Sequence, residues 1–138
     1  VRGARPASDH DRARQREIVT AFLTASRAGD LGALLALLDP EVVLHADPIA
    51  IAAARQSPEA VPLAPEILGA ADVADIFKNR VRTALFALID GEAGFVFAPG
   101  GTPRVAVTIT CIDGRIKMIE FVADPARFGE LDLELPGA

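Results

Sequence analysis

Two spacings of hydrophobic side chains divide the chain into a helical beginning and an extended end. Up to about residue 38, apolar side chains recur every three or four positions, the period of an amphipathic helix. Asp9 or Asp11 can cap a first helix, and Gly29 suits the left-handed position after its end. Asp30 can cap a second helix, which Asp39-Pro40 stops. The apolar positions of the two helices are Ile18, Val19, Phe22, Leu23, Leu31, Leu34, Leu35 and Leu38.

After residue 83 the apolar and polar side chains alternate, which is typical of strands. Asp90-Gly91 and Asp113-Gly114 are hairpin turn signals between such runs. A third helical face precedes them over residues 70–82, and a last helical turn is predicted at residues 126–131. The predicted strands are residues 41–46, 84–89, 93–98, 104–112 and 115–122.

Residues 47–69 are rich in proline and alanine and show no clear period. They predict a long loop, such as a lid, with a short helical turn at residues 49–55. The full order is α-α-β-α-β-β-β-β. It predicts an α+β fold in which three N-terminal helices pack on a curved, mostly antiparallel sheet.

Composition narrows the function classes. The chain has 138 residues, the size of one domain, and a net charge of −5, which argues against direct binding of nucleic acid. Its one cysteine, Cys111, has no partner for a disulfide, and its two histidines lack ligand-spaced neighbours, so we expect no metal and no cofactor. No signal peptide or bilayer-spanning run is visible, and we expect a cytoplasmic protein without membrane contact.

The order of elements resembles the nuclear transport factor 2-like (SnoaL-like) cone fold. The AGD triplet at residues 28–30 and the strand pair around the DGRI turn at residues 113–116 carry this resemblance, which covers about residues 11–133. That superfamily includes SnoaL-type polyketide cyclases, ketosteroid isomerases and binding modules without catalysis. The fold therefore does not fix the function.

Three stretches resemble a narrower group, the SnoaL-like C-terminal domain of actinobacterial extracytoplasmic-function sigma factors. They are VTAFLTASRAGDLGALLALLDPEVVLHAD (19–47), ALIDGEAGFVFAPGGTPRVAVTIT (87–110) and GRIKMIEFVADPARFGELDL (114–133). The resemblance implies a linker from an upstream sigma region at residues 1–10 and a regulatory domain at residues 11–138. The partners that it implies are RNA polymerase and the upstream sigma domains. A small molecule in the cone cavity and a second copy of the chain are further expected partners.

Two segments depart from the pattern of those sigma-factor domains. Related domains carry a glycine-rich segment after the first strand, where this chain reads DPIAI at residues 47–51, and an NPDKL-like segment near the end, where it reads ADPARF at residues 123–128. The chain is thus a divergent example. We expect regulatory contacts through residues 47–69 and through the later segment, at Asp124, Pro125, Arg127 and Phe128.

Asp47-Pro48 also resembles the catalytic Asp-Pro of ketosteroid isomerase, whose aspartate moves a proton while a tyrosine and a neutral acid stabilise an oxyanion. In this chain Phe22 and Thr108 stand at the positions of those two donors. Each such donor is worth about 3 kcal/mol, so the isomerase mechanism does not transfer. A small SnoaL-like or isomerase-like enzyme with Asp47 as general base and His45 as its partner is the alternative function.

The remaining polar strand residues allow a functional and a structural interpretation. On a strand, His45 and Asp47 share one face, as an acid/base pair beside a pocket or as the polar end of the strand. Glu120 is a pocket carboxylate or a partner of Arg115 or Lys117. The functional interpretation is a ligand cavity lined by Phe22, His45, Asp47, Thr108, Thr110 and Glu120.

Overall fold

A computed structural model describes residues 9–135, with side chains from residue 11 onward. The predicted linker at residues 1–10 therefore lies almost entirely outside the described residues. The helices are α1 (Asp9–Ala28), α2 (Leu31–Leu37), α3 (Pro48–Gln56), α4 (Ala70–Phe77) and α5 (Pro125–Phe128). The strands are β1 (Leu38–Ala46), β2 (Glu66–Leu68), β3 (Leu85–Ile89), β4 (Glu92–Phe97), β5 (Val105–Ile112), β6 (Arg115–Val122) and β7 (Leu133–Glu134). The α+β class is confirmed, although the described residues form five helices where three N-terminal ones were predicted.

Three predicted boundaries differ from the structure by more than one residue. The helical turn predicted at residues 126–131 is α5 and ends at Phe128. The other two were wrong because of a specific contact. The third helix, α4, ends at Phe77 and not at residue 82. Asn79 and Val81 adopt positive φ angles of 62° and 57°, and the Asn79 N–H donates to the carbonyl of Ser26 at 2.8 Å. The first strand begins three residues early, at Leu38, because Leu38 pairs with Ile116 in the sheet.

The segment at residues 47–69 is more regular than the predicted lid-like loop. Its helical turn is confirmed as α3, which starts with Pro48 at the first helical position, where a missing N–H costs nothing. The segment then returns as β2, which pairs antiparallel with β1 at the edge of the sheet. It is therefore attached to the sheet at both of its ends.

One mixed sheet organises the described chain. Its strand order is β2-β1-β6-β5-β4-β3-β7, and all neighbours run antiparallel except β1 and β6, which are parallel. The hairpins β3–β4 and β5–β6 turn through Asp90-Gly91 and Asp113-Gly114, whose four φ angles are all positive. Such turns match the twist of the flanking strands, which is why Asp-Gly predicts them correctly.

The face of the sheet under α1, α2 and α4, which we call the inner face, is filled by aromatic rings. Phe22 of α1 lies 4.8 Å from Phe77 and 6.5 Å from Phe95, measured between ring centroids. Phe77 also stacks on Phe121 at 5.9 Å. Phe22, Phe77 and Phe95 are completely buried. The opposite face, which we call the outer face, carries a smaller core: Ala87, Ile89, Val96 and Ala106, covered by Phe128, Leu131, Leu133 and Leu135.

None of the described helices is both long enough and apolar enough to cross a membrane.

Phe22→Ala is expected to lower the free energy of unfolding by about 3–5 kcal/mol, because it empties the centre of the aromatic cluster. Phe22→Leu, a smaller change, keeps the comparison measurable if the alanine variant does not fold. Urea unfolding followed by circular dichroism suits a chain that has no Trp and no Tyr.

Leu35→Ala, at a helical leucine that is 38% exposed, is the matched control and should cost less than about 1 kcal/mol. Equal losses for Phe22→Ala and Leu35→Ala would contradict the packing described for the inner face.

Candidate functional site

Four polar side chains form one row across the outer face. The sheet register places His45 of β1 between Glu66 of β2 and Glu120 of β6, and Glu120 opposite Thr108 of β5. Alternation along each strand sends their neighbours to the inner face, where Leu44, Val107 and Phe121 lie in the core. His45 therefore points away from the space between sheet and helices.

The partner of His45 is a glutamate that the sequence prediction did not name. Its Nε2 atom lies 3.0 Å from Oε2 of Glu66, and the two side chains are 39% and 56% exposed. An ion pair so open to water contributes about 0–1 kcal/mol when the imidazole is protonated. The structure gives His45 no contact with Asp47, so the two do not form the proposed acid/base pair.

Asp47 lies at the end of β1, where its carboxylate accepts three backbone hydrogen bonds. Oδ1 accepts from the N–H of Ala50 at 2.8 Å and so caps α3. Oδ2 accepts from Ala123 at 2.7 Å and from Asp124 at 2.9 Å. The two oxygens thus join the start of α3 to the end of β6 and the start of α5.

These contacts decide the charge of Asp47. Burial by itself would raise the pKa of its carboxyl group, but the N–H groups of Asp124, Ala123 and Ala50, together with the charge of Arg127, outweigh burial. The pKa of Asp47 is therefore lowered from its ordinary 3.8. A carboxylate held this way is a weak base, because three N–H groups stabilise its charged form, and it is therefore poorly suited to proton abstraction.

Glu120 and Arg127 pair across the gap between β6 and α5. Nη2 of Arg127 lies 3.0 Å from Oε2 of Glu120, and this hydrogen bond and the glutamate charge raise the pKa of Arg127. The pairing of Glu120 with Arg115 or Lys117, weighed from the sequence, is not seen. The Nζ atom of Lys117 instead lies 3.5 Å from Oδ1 of Asp39. Asp124 caps α5, with Oδ1 accepting from the N–H of Ala126 at 3.0 Å.

The six residues predicted to line one cavity do not surround a common space. Phe22 is buried in the inner aromatic cluster. His45, Asp47 and Glu120 lie on the outer face or at its edge. Thr108 and Thr110 line a separate cleft of about 220 Å³ beside the β3–β4 hairpin. The predicted contact residues belong to α5. Asp124 caps it, Pro125 and Arg127 lie within it, and Phe128, its last residue, packs on the outer core.

The sequence did carry a signal for the Asp47 contact. The triplet ADP occurs twice, as Ala46-Asp47-Pro48 and Ala123-Asp124-Pro125, each at the end of a strand. Parallel pairing of β1 and β6 brings both triplets to one edge, where the Asp47 N–H donates to the carbonyl of Phe121 at 3.2 Å. Asp47-Pro48 then begins α3, and Asp124-Pro125 begins α5.

Neither metal chemistry nor thiol chemistry has a centre in the described residues. No group of three or more His, Cys, Asp or Glu side chains between residues 11 and 135 could hold a metal ion. Burial, with the nearby charge of Glu92, raises the pKa of the Cys111 thiol to about 11. The thiol therefore stays protonated at neutral pH and is a poor nucleophile.

Asp47→Asn is expected to lower the free energy of unfolding by about 1–3 kcal/mol. An amide has one acceptor oxygen, so whichever way it is turned its NH₂ group faces at least one backbone N–H. Asp124→Asn is the matched control, because an amide oxygen can still accept the single hydrogen bond from the Ala126 N–H, and it should cost less than about 1 kcal/mol. Equal losses in urea unfolding would contradict the three-bond assignment.

The stability that Asp47 provides should depend on pH. Because its pKa is lower in the folded chain than the ordinary 3.8, this stability is present above that value and is lost as the pH falls through the folded pKa. The difference in unfolding free energy between the wild type and Asp47→Asn should therefore be full at neutral pH and shrink below about pH 4. A difference that stays constant down to about pH 2.5 would contradict the lowered pKa.

Comparison with known proteins supports the fold. Neither a protein-family model nor a curated protein matches the chain. The solved extracytoplasmic function sigma factor SigJ of Mycobacterium tuberculosis is similar, with 24% identity, a TM-score of 0.58 and coverage of 83% of this chain. An NTF2-like protein of unknown function from Burkholderia xenovorans LB400 matches with 19% identity, a TM-score of 0.51 and coverage of 91% of this chain and 89% of that one.

A third solved structure, Bal32a from a soil-derived mobile gene cassette, has 16% identity, a TM-score of 0.52 and coverage of 80% of this chain and 89% of its own. The chain spans only 44% of the SigJ chain. At these identities the likeness concerns architecture. The chain has the NTF2-like fold.

Proposed function

We propose that this chain is the regulatory C-terminal domain of an alternative sigma factor, which modulates transcription initiation through contacts with sigma domains and core polymerase. The observation that carries the proposal is the structural role of the Asp47 carboxylate. Its carboxylate, at the place where a related enzyme keeps a base, is bonded to three backbone N–H groups and fixes the C-terminal segment. This structural role of Asp47 supports a binding domain over an enzyme.

Similarity to a sigma factor supports the same proposal. SigJ is matched over 83% of this chain. The stretches that resemble sigma-factor domains include the one at residues 114–133, which contains β6, α5 and the Arg127–Glu120 pair.

The segment from Asp124 to Phe128 is the contact surface that we propose. Asp47 anchors its beginning, and Phe128 packs against the outer core at its end. Between them Arg127 is half exposed, paired on one side with Glu120 and open on the other. A side chain on a fixed backbone is suited to contact a partner, because little conformational entropy is lost on binding.

An effector inside the cone is not part of this proposal. Four phenylalanine rings fill the centre of the space between sheet and helices, and the cleft that contains Thr108 and Thr110 lies outside it. The alternative function, an enzyme with Asp47 as general base, would need the Asp47 carboxylate to take a proton from a substrate, which its lowered pKa disfavours. Both oxygens of Asp47 already accept hydrogen bonds.

Transcription in vitro by the full-length protein that contains this chain, with core polymerase, tests the proposal. Arg127→Ala should change transcript yield at least about threefold, equivalent to an interfacial contact of roughly 0.7 kcal/mol. Arg82→Ala is the matched control, since Arg82 is also an exposed arginine beside a glutamate, 3.9 Å from Glu59. The control should leave the yield unchanged.

Equal yields from wild type, Arg127→Ala and Arg82→Ala would contradict the proposed contact surface. An open reading frame that does not encode sigma-type helices upstream of residue 1 would contradict the sigma-factor assignment itself.

A further inference from the structure

A second cleft lies far from Asp47, between α1 and the β3–β4 hairpin, with a volume of about 260 Å³. Its wall on the helix side consists of Arg12, Gln15 and Arg16, which follow one another at helical spacing. Its other residues are Leu88, Gly91, Ala93 and Glu134. The cleft thus combines two guanidinium groups with a partly apolar floor.

Its two arginines lack carboxylate partners. The ion pairs within residues 11–135 join His45, Arg82, Lys117 and Arg127 to acidic side chains, and none of them involves Arg12 or Arg16. Glu134 lines the same cleft without pairing to either arginine. Two like charges four residues apart on a helix repel each other by a few tenths of a kcal/mol, and Glu134, the one acidic residue that lines the cleft, offsets only one of them. This is a local excess of positive charge in a chain of net charge −5.

One of the arginines lies over an aromatic ring. The guanidinium carbon of Arg16 lies 5.9 Å from the ring centroid of Phe86, within the range of a cation–π contact. Phe86 is partly buried and packs against the inner core, so its ring is a fixed support. A guanidinium fixed by its face still presents its N–H edge to a bidentate acceptor.

We propose that this cleft binds a small organic anion, a carboxylate or a phosphate monoester, whose charged group bridges Arg12 and Arg16 and whose apolar part lies on Leu88 and Ala93. The volume is below the roughly 300–1,000 Å³ of sites for drug-sized molecules, so the ligand is compact. Glu134, at the rim, disfavours ligands with a second negative charge far from the first. The site is independent of the sigma-factor proposal, because it shares no residue with the Asp124–Phe128 segment.

Titration of the isotopically labelled chain by NMR tests this site with three probes: benzoate, phenyl phosphate and the uncharged benzyl alcohol. Saturable shifts of the Gly91 amide and of the Arg12 and Arg16 side-chain N–H signals are expected with an anion, with a Kd in the range of about 0.1–10 mM, and not with the alcohol. A response to benzoate alone assigns a carboxylate ligand, and a stronger response to phenyl phosphate assigns a phosphate.

Three variants sharpen the test. Arg12→Gln and Arg16→Gln should each weaken anion binding at least about fivefold, whereas Glu134→Gln should tighten it about two- to fivefold by removing a repelling charge. Arg55→Gln, at an exposed helical arginine of α3 outside the cleft, is the matched control and should leave the Kd unchanged. All four substitutions are at exposed or rim positions and the NMR spectrum reports directly whether each variant is folded.

Absence of saturable shifts with both anions would overturn the proposal. Equal affinity of all four variants would overturn it as well, since binding would then be non-specific attraction to surface charge.

Discussion

The parallel pairing of β1 with β6 is the constraint on which the rest of the outer face depends. It places the carboxyl ends of two strands at one edge, and at each end an Asp-Pro pair begins a helix. Oδ1 of Asp47 then accepts a hydrogen bond from its own helix, and Oδ2 accepts hydrogen bonds from the backbone N–H groups of Ala123 and Asp124. One side chain therefore fixes both the entry to α3 and the entry to the C-terminal segment, which are 76 residues apart in sequence.

Filling of the inner face explains why the polar chemistry lies elsewhere. Phe22, Phe77, Phe95 and Phe121 are linked by ring contacts with centroid distances between 4.8 and 6.5 Å, and rings packed in this way occupy the centre of the inner face. A charged group brought into it would lose its hydration without gaining a partner. The charged and hydroxyl side chains of β1, β5 and β6 consequently face outward, where Glu66 and Arg127 supply partners.

The sequence predicts what is encoded locally and misses what depends on distant partners. The strand predicted at residues 115–122 has the same bounds in the structure, because apolar alternation and Asp113-Gly114 define both its face and its start. Alternation also predicts that His45 shares one face of β1 with the residues two positions before and after it. The sequence does not predict which face of β1 meets the helices, because that depends on how β1 pairs with β2 and β6. The end of α4 was missed for the same reason, because Asn79 bonds to Ser26, 53 residues away.

The chain from Asp124 to Leu135 is held at two points. Asp47 binds its first residues, while Phe128, Leu131, Leu133 and Leu135 cover Ala87, Ile89, Val96 and Ala106. Removal of the whole segment would expose that small core and leave one oxygen of Asp47 without its donors, so a truncated chain would lose stability together with any contact surface. Arg127 differs because it is exposed and pairs only with Glu120 at the surface. A single substitution there removes the proposed contact and leaves both anchors in place, which separates recognition from folding.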